Sequence, residues 1–205
     1  MLSFFYQWLS DRKGIILNRK MVFVALFAAL ICVSSFWTIP FLPGIPIVLK
    51  NLVIILAGAL LGTWYGAAAA ALFLLTGILG LPVFVNAGGI AAFISPTGGY
   101  MIGYVVGALI TGLIAGRPKA QDRKPTYPYI ARIVSALFLG FVAILVCGAL
   151  YLVLLNMGSD TPKSNISVFL GGITPFLIGD GIKFALSIPI TLTLRPVTAH
   201  YIRNR

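Results

Sequence analysis

Charged residues, and acidic ones above all, are scarce in this sequence. Among its 205 residues there are four Asp and Glu, and only 9% of the chain is charged, whereas soluble domains have about 25% charged residues. No Lys, Arg, Asp or Glu occurs from Asn51 to Gly116. A helix that crosses a bilayer needs about 20 mostly apolar residues, so this stretch alone has room for more than two. The sequence therefore excludes a soluble domain and predicts an integral membrane protein.

Groups that carry catalysis are equally rare. The single histidine, His200, lies near the C-terminus, and the two cysteines, Cys32 and Cys147, lie in apolar runs without metal-ligand spacing. The chain has no acid pair, no G-x-S-x-G motif and no Walker A motif. It also lacks the ring of like charges or the repeated filter motif of a channel. We therefore predict no enzyme, no resident cofactor or metal, and no ATP hydrolysis by this chain itself.

Apolar runs are what the sequence has in abundance, since 60% of its residues are hydrophobic. These runs predict six membrane spans, separated by proline-rich or polar segments. The spans are placed at about 21–39, 47–62, 65–79, 97–116 and 131–155, with the sixth ending at Arg195. The predicted fold class is thus an all-α integral membrane bundle of six transmembrane helices.

The basic residues indicate how this bundle is oriented. The net charge is +11, and twelve of the 15 Lys and Arg lie towards the two termini or in the loop between the fourth and fifth spans. The positive-inside rule places all three regions in the cytoplasm. This distribution argues against nucleic acid as a partner and predicts a multi-pass protein of a bacterial-type cytoplasmic membrane.

The same reasoning divides the chain into three parts. Residues 21–195 are interpreted as one membrane domain with an outward-facing ligand pocket. Residues 1–20 form a cytoplasmic N-terminal segment, which is either an amphipathic helix along the interface or a partly disordered tail. Residues 196–205 are interpreted as a cytoplasmic tail.

Glycines recur at four-residue spacing in the fourth predicted span. Gly99, Gly103 and Gly107 therefore share one face of a helix. Small residues at this spacing let helix backbones approach closely in lipid. We interpret the face as a helix-packing surface rather than as part of a ligand site.

An acid and a base interrupt the last apolar run, in the sequence TPFLIGDGIK. Asp180 is the only acid within a predicted span, and Lys183 follows three residues later, on the same helical face. A charge at the middle of a bilayer costs about 2.5–3.5 kcal/mol on insertion scales, so such residues usually face a partner or a cavity. The pair is either an ion pair that locks the bundle or the polar part of a ligand site, and the two roles can coexist.

Further polar residues are predicted at the same outer depth. Lys50 begins the second span and is either a lysine that snorkels to the interface or a site residue. Asn86 and Gly88 lie in a charge-free connection whose free backbone groups could bind a small polar ligand. Tyr100 offers a hydroxyl at the start of the fourth span. Together with the acid–base pair, these residues predict one outward-opening pocket built from four parts of the chain.

Three stretches, in matching order and spacing, carry a family resemblance: LAGALLGTWYGAAAAALFLLTGILGLPVF, SPTGGYMIGYVVGALITG and PFLIGDGIK. From about Pro40 to Arg195 the chain resembles the BioY family, the biotin-specific substrate-binding S components of energy-coupling factor (ECF) transporters. The resemblance implies a six-helix bundle that binds biotin on its extracellular side. It also implies partners, a transmembrane coupling protein and a pair of ATPases, to which the vitamin is handed.

The resemblance also implies roles for particular residues. The family's GD..K motif falls on Gly179, Asp180 and Lys183, which implies that they help to hold biotin. Ala25 and Ala29 match the A-x-x-x-A pattern that S components tend to carry in the first helix, facing the coupling protein.

Lys50 departs from the family pattern, because it stands where glutamine is usual. It could add a cation for the ligand carboxylate or indicate a shifted specificity. Three alternatives to a biotin S component therefore stay open: an S component for another vitamin such as thiamine or riboflavin, a facilitator that works without ATPases, and a membrane-embedded enzyme or assembly factor.

Overall fold

The computed structural model describes residues 19–42, 45–84, 89–119, 126–159 and 161–203. The elements, in chain order, are α1 Arg19–Phe36, β1 Thr38–Leu42, β2 Ile45–Val48, α2 Lys50–Leu61, α3 Thr63–Ile78, α4 Ala91–Ile94, α5 Gly98–Ala115, α6 Tyr127–Met157, α7 Asn165–Ile173, a 3-10 turn Thr174–Phe176, and α8 Leu177–Arg203. The predicted segment 1–20 lies outside the described residues except for its last two.

Each of the six predicted spans falls on helical structure. Within the described ranges, four helical stretches are long and apolar enough to cross a bilayer. They are Arg19–Phe36, Gly98–Ala115, Tyr127–Met157 and Asn165–Tyr201, the last of which joins α7, the 3-10 turn and α8. The second and third spans correspond to the shorter apolar helices α2 and α3.

The connection between α1 and α2 differs from the prediction. Residues placed in the ends of two spans instead form an antiparallel hairpin, in which Thr38 pairs with Val48 and Ile39 pairs with Ile47. Prolines drive the segment out of helix, because a residue that precedes proline is restricted to extended conformations. The β-branched residues on either side of these prolines favour strands. Hydropathy alone does not distinguish such a short apolar hairpin from the end of a span.

Helix α2 is the central element of the bundle. Ten of its 12 residues are buried, and it packs against α1, α3, α5, α6 and α8. A helix that is apolar on all sides is typical of a buried position, which explains why this short helix carries no polar face. Gly62 ends it with φ of 84°, in the left-handed region that favours glycine, and the chain turns directly into α3.

The predicted glycine face of the fourth span is confirmed as a packing surface. A Cβ atom added at Gly103 would lie 3.0 Å from Cα of Ile144 on α6, and one at Gly107 would lie 2.9 Å from the carbonyl oxygen of Gly140. Helices α5 and α6 therefore touch backbone to backbone, as small residues in membrane helices allow.

Helix α8 continues to Arg203, past the predicted end of the sixth span. Arg195, which the sequence reasoning assigned to the cytoplasmic face, is fully buried. Its guanidinium donates hydrogen bonds to the carbonyl oxygens of Ala59 (2.7 Å), Ala115 (3.0 Å) and Gly116 (3.1 Å). The last carbonyls of a helix lack partners within it and attract cations. Arg195 thus joins α8 to the C-terminal ends of α2 and α5.

Arg195→Lys should lower the thermal unfolding temperature of the detergent-solubilised protein. A lysine ammonium is a point charge and cannot bridge two helix ends as the planar guanidinium does, and each buried carbonyl left unpaired costs about 1–3 kcal/mol. Arg117→Lys is the matched control, because Arg117 is exposed at the same end of the bundle, and it should leave the unfolding temperature unchanged. Equal unfolding temperatures for the two variants would contradict the role of Arg195.

Candidate functional site

Polar side chains from three helices and a backbone carbonyl of the hairpin converge at the other end of the bundle. Lys50 is the first residue of α2, Tyr100 lies in the first turn of α5, and Asp180 lies in the first turn of α8. Lys183 follows one turn later and contacts the end of β2. The fold therefore brings together four of the residues that the sequence predicted for the pocket.

The centre of this site is a buried ion pair. Lys183 and Asp180 are in direct contact, and only 4% and 5% of their surfaces are exposed. The ammonium of Lys183 also donates a hydrogen bond to the carbonyl oxygen of Val48, 3.3 Å away. The first turn of a helix stabilises a negative charge, which favours Asp180 at this position. The hairpin and α8 are thus joined at the charged pair.

Asp180 has hydrogen-bonding capacity that the described residues leave unused. Its Oδ1 atom contacts the ammonium of Lys183, whereas Oδ2 has no hydrogen-bond partner among them, although both oxygens are buried. A buried charge is tolerated when it is both paired and hydrogen-bonded, and the contact with Lys183 leaves Oδ2 without a hydrogen bond. The carboxylate is therefore suited to accept hydrogen bonds from a bound molecule.

Lys50 is the second buried cation of this site. It is 6% exposed, and its Nζ atom lies 5.4 Å from the ring centroid of Tyr104. Lys50 lies two residues after Val48, whose carbonyl accepts from Lys183, and the ring of Tyr100 packs on Phe176, four residues before Asp180. We call these five residues, Lys50, Tyr100, Tyr104, Asp180 and Lys183, the outer polar cluster.

Tyr104 was not predicted as a site residue. It is 5% exposed and lies one helical turn after Tyr100, so both side chains share a face of α5. This four-residue spacing between two tyrosines was the available signal in the sequence.

Tyr100 belongs to the outer polar cluster and also contacts α7 and the 3-10 turn. Its hydroxyl donates a hydrogen bond to the carbonyl oxygen of Gly172 on α7, and its ring centroid lies 5.4 Å from that of Phe176. The hydroxyl proton is therefore already used within the protein. Towards a ligand, Tyr100 would offer its oxygen lone pairs and its aromatic face.

Two predicted residues, Asn86 and Gly88, lie outside the described part of the chain, and their roles stay predictions. The flanks of their connection are held against the bundle. Phe84 is buried and packs edge to face on Phe73 of α3, with ring centroids 5.7 Å apart. Beyond the connection, the hydroxyl of Tyr151 on α6 donates to the carbonyl oxygen of Phe93, 2.8 Å away.

Ala25 and Ala29 lie on the exposed surface of α1. They share one helical face, because they are four residues apart. They are not part of the outer polar cluster, which agrees with the separate, partner-binding role predicted for them and leaves that role a prediction.

These features define a class of protein: a multi-pass membrane bundle with a small, buried, charged site at one end. The described residues contain no group of three or more His, Cys, Asp or Glu able to hold a metal ion. The site offers a carboxylate with one unpartnered oxygen, two ammonium groups and aromatic rings. This set suits a small ligand that has both hydrogen-bond donors and acceptors.

The chain belongs to the BioY family, whose family model matches residues 10–200. It is 34% identical over 174 residues to a probable biotin transporter BioY of Lysinibacillus sphaericus, covering 84% of this chain and 83% of that protein. It is 33% identical over 185 residues to the biotin transporter BioY of Rhodobacter capsulatus, covering 87% of this chain and 94% of that protein.

A solved structure is also similar to this chain. It is the crystal structure of the S-component for biotin from an ECF-type ABC transporter, with a TM-score of 0.68 and 28% sequence identity. The match covers 86% of this chain and 90% of that chain. The predicted six-helix fold of the S-component type and the family resemblance are thereby confirmed. The prediction that the chain is not an enzyme is confirmed too, since the matched proteins are transporter proteins.

The ion pair should show strong energetic coupling in a double-mutant cycle. Lys183→Met or Asp180→Asn alone leaves one member of a buried pair without its partner, which costs about 3–5 kcal/mol. The double variant removes both charges and should be destabilised by less than the sum of the single variants. Thermal unfolding in detergent measures all three effects.

Lys163→Met provides the control for this cycle, because Lys163 is exposed. Combined with Asp180→Asn, it should give additive effects, as independent sites do. Additive effects for the buried pair would contradict the coupling.

Proposed function

We propose that this chain is a substrate-binding S component that captures biotin at the outer side of the membrane. It then delivers the vitamin through an ATP-driven energy-coupling module. The observation that carries the proposal is the buried carboxylate of Asp180, which is paired with Lys183 through Oδ1 while its Oδ2 atom has no hydrogen-bond partner among the described residues. Its position in a fold similar to that of a biotin S-component supports the choice of ligand.

The chemistry of biotin complements this site. The ureido ring of biotin presents two N–H donors and one carbonyl acceptor, and a carboxylate such as Asp180 accepts from N–H groups. An ammonium has three donors. Lys183 uses two of them, on Asp180 and on the carbonyl of Val48, so one is left for a ligand oxygen. The rings of Tyr100 and Tyr104 offer apolar faces for the thiophane and alkyl parts.

ATP-driven delivery requires partners, because the sequence contains no Walker A motif. The partners proposed are a transmembrane coupling protein and a pair of ATPases that hydrolyse ATP on behalf of this chain. The basic residues near the termini and between positions 117 and 132, in the loop after α5 and the first turns of α6, support an orientation with both termini in the cytoplasm. The outer polar cluster, at the opposite end of the bundle, then opens to the extracellular side.

Equilibrium binding of labelled biotin to the purified, detergent-solubilised protein tests the ligand. The parent should bind, and Asp180→Asn and Lys183→Ala should each weaken binding by about 100-fold, since a hydrogen bond to a charged group contributes about 1.5–3 kcal/mol and unpaired partners add to the loss. Lys163→Ala, at an exposed lysine of the loop between α6 and α7, should bind as the parent does.

Excess thiamine and riboflavin serve as competitors in the same assay and should displace no biotin. Failure of a folded parent to bind biotin would overturn the proposal. Displacement by either of the other vitamins would favour an S component of different specificity.

The partner surface is tested separately from the ligand site. The double variant Ala25→Trp/Ala29→Trp should reduce co-purification with a co-expressed coupling protein and ATPase pair, because two large rings on one helical face prevent close helix contact. Its affinity for biotin should stay that of the parent.

Leu30→Trp is the matched control for this partner test. Leu30 is an exposed residue of the same helix, on a face about 100° away from that of Ala29. The proposed surface is contradicted if Leu30→Trp and the double variant reduce co-purification equally.

A further inference from the structure

Lys50 is a buried cation without an anionic partner in the described part of the chain. It is 6% exposed, and its one described polar contact is the face of Tyr104, 5.4 Å from Nζ. A lysine that snorkels would hold its ammonium in water, which this degree of burial does not allow. A cation–π contact contributes about 0.5–2 kcal/mol, whereas burying an isolated ammonium costs considerably more. The described residues therefore do not offset the cost of burying the Lys50 ammonium. A further group has to supply the rest.

The charges of the outer polar cluster do not balance. Lys183 is paired with Asp180 and bonded to the carbonyl of Val48, so its charge and donors are largely used. Lys50, two residues after the Val48 carbonyl that Lys183 contacts, adds a second ammonium to the cluster, and the described residues of the cluster include no second carboxylate. The cluster thus carries one net positive charge, which a ligand with a single negative charge neutralises.

We infer that Lys50 binds the carboxylate of the ligand, so that the site selects the free acid of biotin over its neutral derivatives. The inference rests on the proposed function, and it assigns the two ends of the ligand to different residues. The ureido ring lies at Asp180 and Lys183, and the valerate carboxylate lies at Lys50. An ammonium–carboxylate hydrogen bond is about twice as strong as a neutral one, so a charged residue at this position gives discrimination that an uncharged amide side chain does not.

Isothermal titration of the full-length protein in detergent tests the inference, with biotin, biotin amide and biotin methyl ester as ligands. The parent should bind biotin about 10- to 100-fold more tightly than either neutral derivative. Lys50→Met should lose that preference: its affinity for biotin should fall about 10- to 100-fold, while its affinity for biotin amide stays that of the parent. Lys50→Gln, which keeps a polar group, should give the same loss of preference.

Lys163→Met is the matched control, since it removes an exposed lysine, and it should keep the preference of the parent. The inference is overturned if the parent binds the acid and the amide equally, or if Lys50→Met weakens both to the same extent. Either result leaves biotin binding intact and so spares the proposed function. Absence of biotin binding to the folded parent overturns the proposed function and the inference together. The comparison of ligands on the parent needs no variant, so equal binding of the acid and the amide overturns the inference even if a variant does not fold.

Discussion

The ion pair between Lys183 and Asp180 constrains the end of the bundle at which α8 begins. Two charges taken out of water lose their hydration, and their mutual attraction compensates for the loss only when further hydrogen bonds complete the arrangement. The structure supplies part of this. The first turn of α8 favours the negative charge, and the carbonyl of Val48 accepts from the ammonium. The hairpin before α2 is therefore tied to α8 at the pair. The remaining hydrogen-bonding capacity, on the Oδ2 atom of Asp180, makes the pair a candidate ligand-binding group as well as a structural contact.

Helix α8 carries buried charges at both ends of the bundle. Asp180 and Arg195 are 15 residues apart in one helix, which corresponds to about 22 Å along its axis. Near the N-terminal end of α8 the charges meet each other and the hairpin. Towards its C-terminal end the guanidinium of Arg195 meets the last carbonyls of α2 and α5. Arg195 makes hydrogen bonds to backbone carbonyls. The Oδ2 atom of Asp180, in contrast, has no partner among the described residues. This difference separates an end that fixes the helices from an end that can receive a ligand.

The sequence predicted the number of spans, their approximate places and most of the polar cluster, because charge is so costly in a bilayer that its few occurrences are informative. Asp180, Lys183 and Lys50 stood out for that reason. The hairpin at Thr38–Val48 was missed, since a few apolar β-branched residues around prolines give a hydropathy signal like that of a span end. The role of Arg195 was missed because pattern alone does not separate a basic residue facing the cytoplasm from one buried against helix ends. Tyr104 was missed because an aromatic residue in a span is usually a packing residue. Asn86 and Gly88 lie outside the described residues, so their predicted place in the pocket stays untested.

The most direct measurement is an experimental structure of this protein with biotin bound. The account predicts that a ureido N–H of biotin donates to the carboxylate of Asp180, with nitrogen and oxygen about 2.7–3.0 Å apart, while Asp180 stays in contact with Lys183. Biotin bound elsewhere in the bundle, with Asp180 and Lys183 paired only to each other and to the protein, would contradict it. The pair would then be a structural lock and no more.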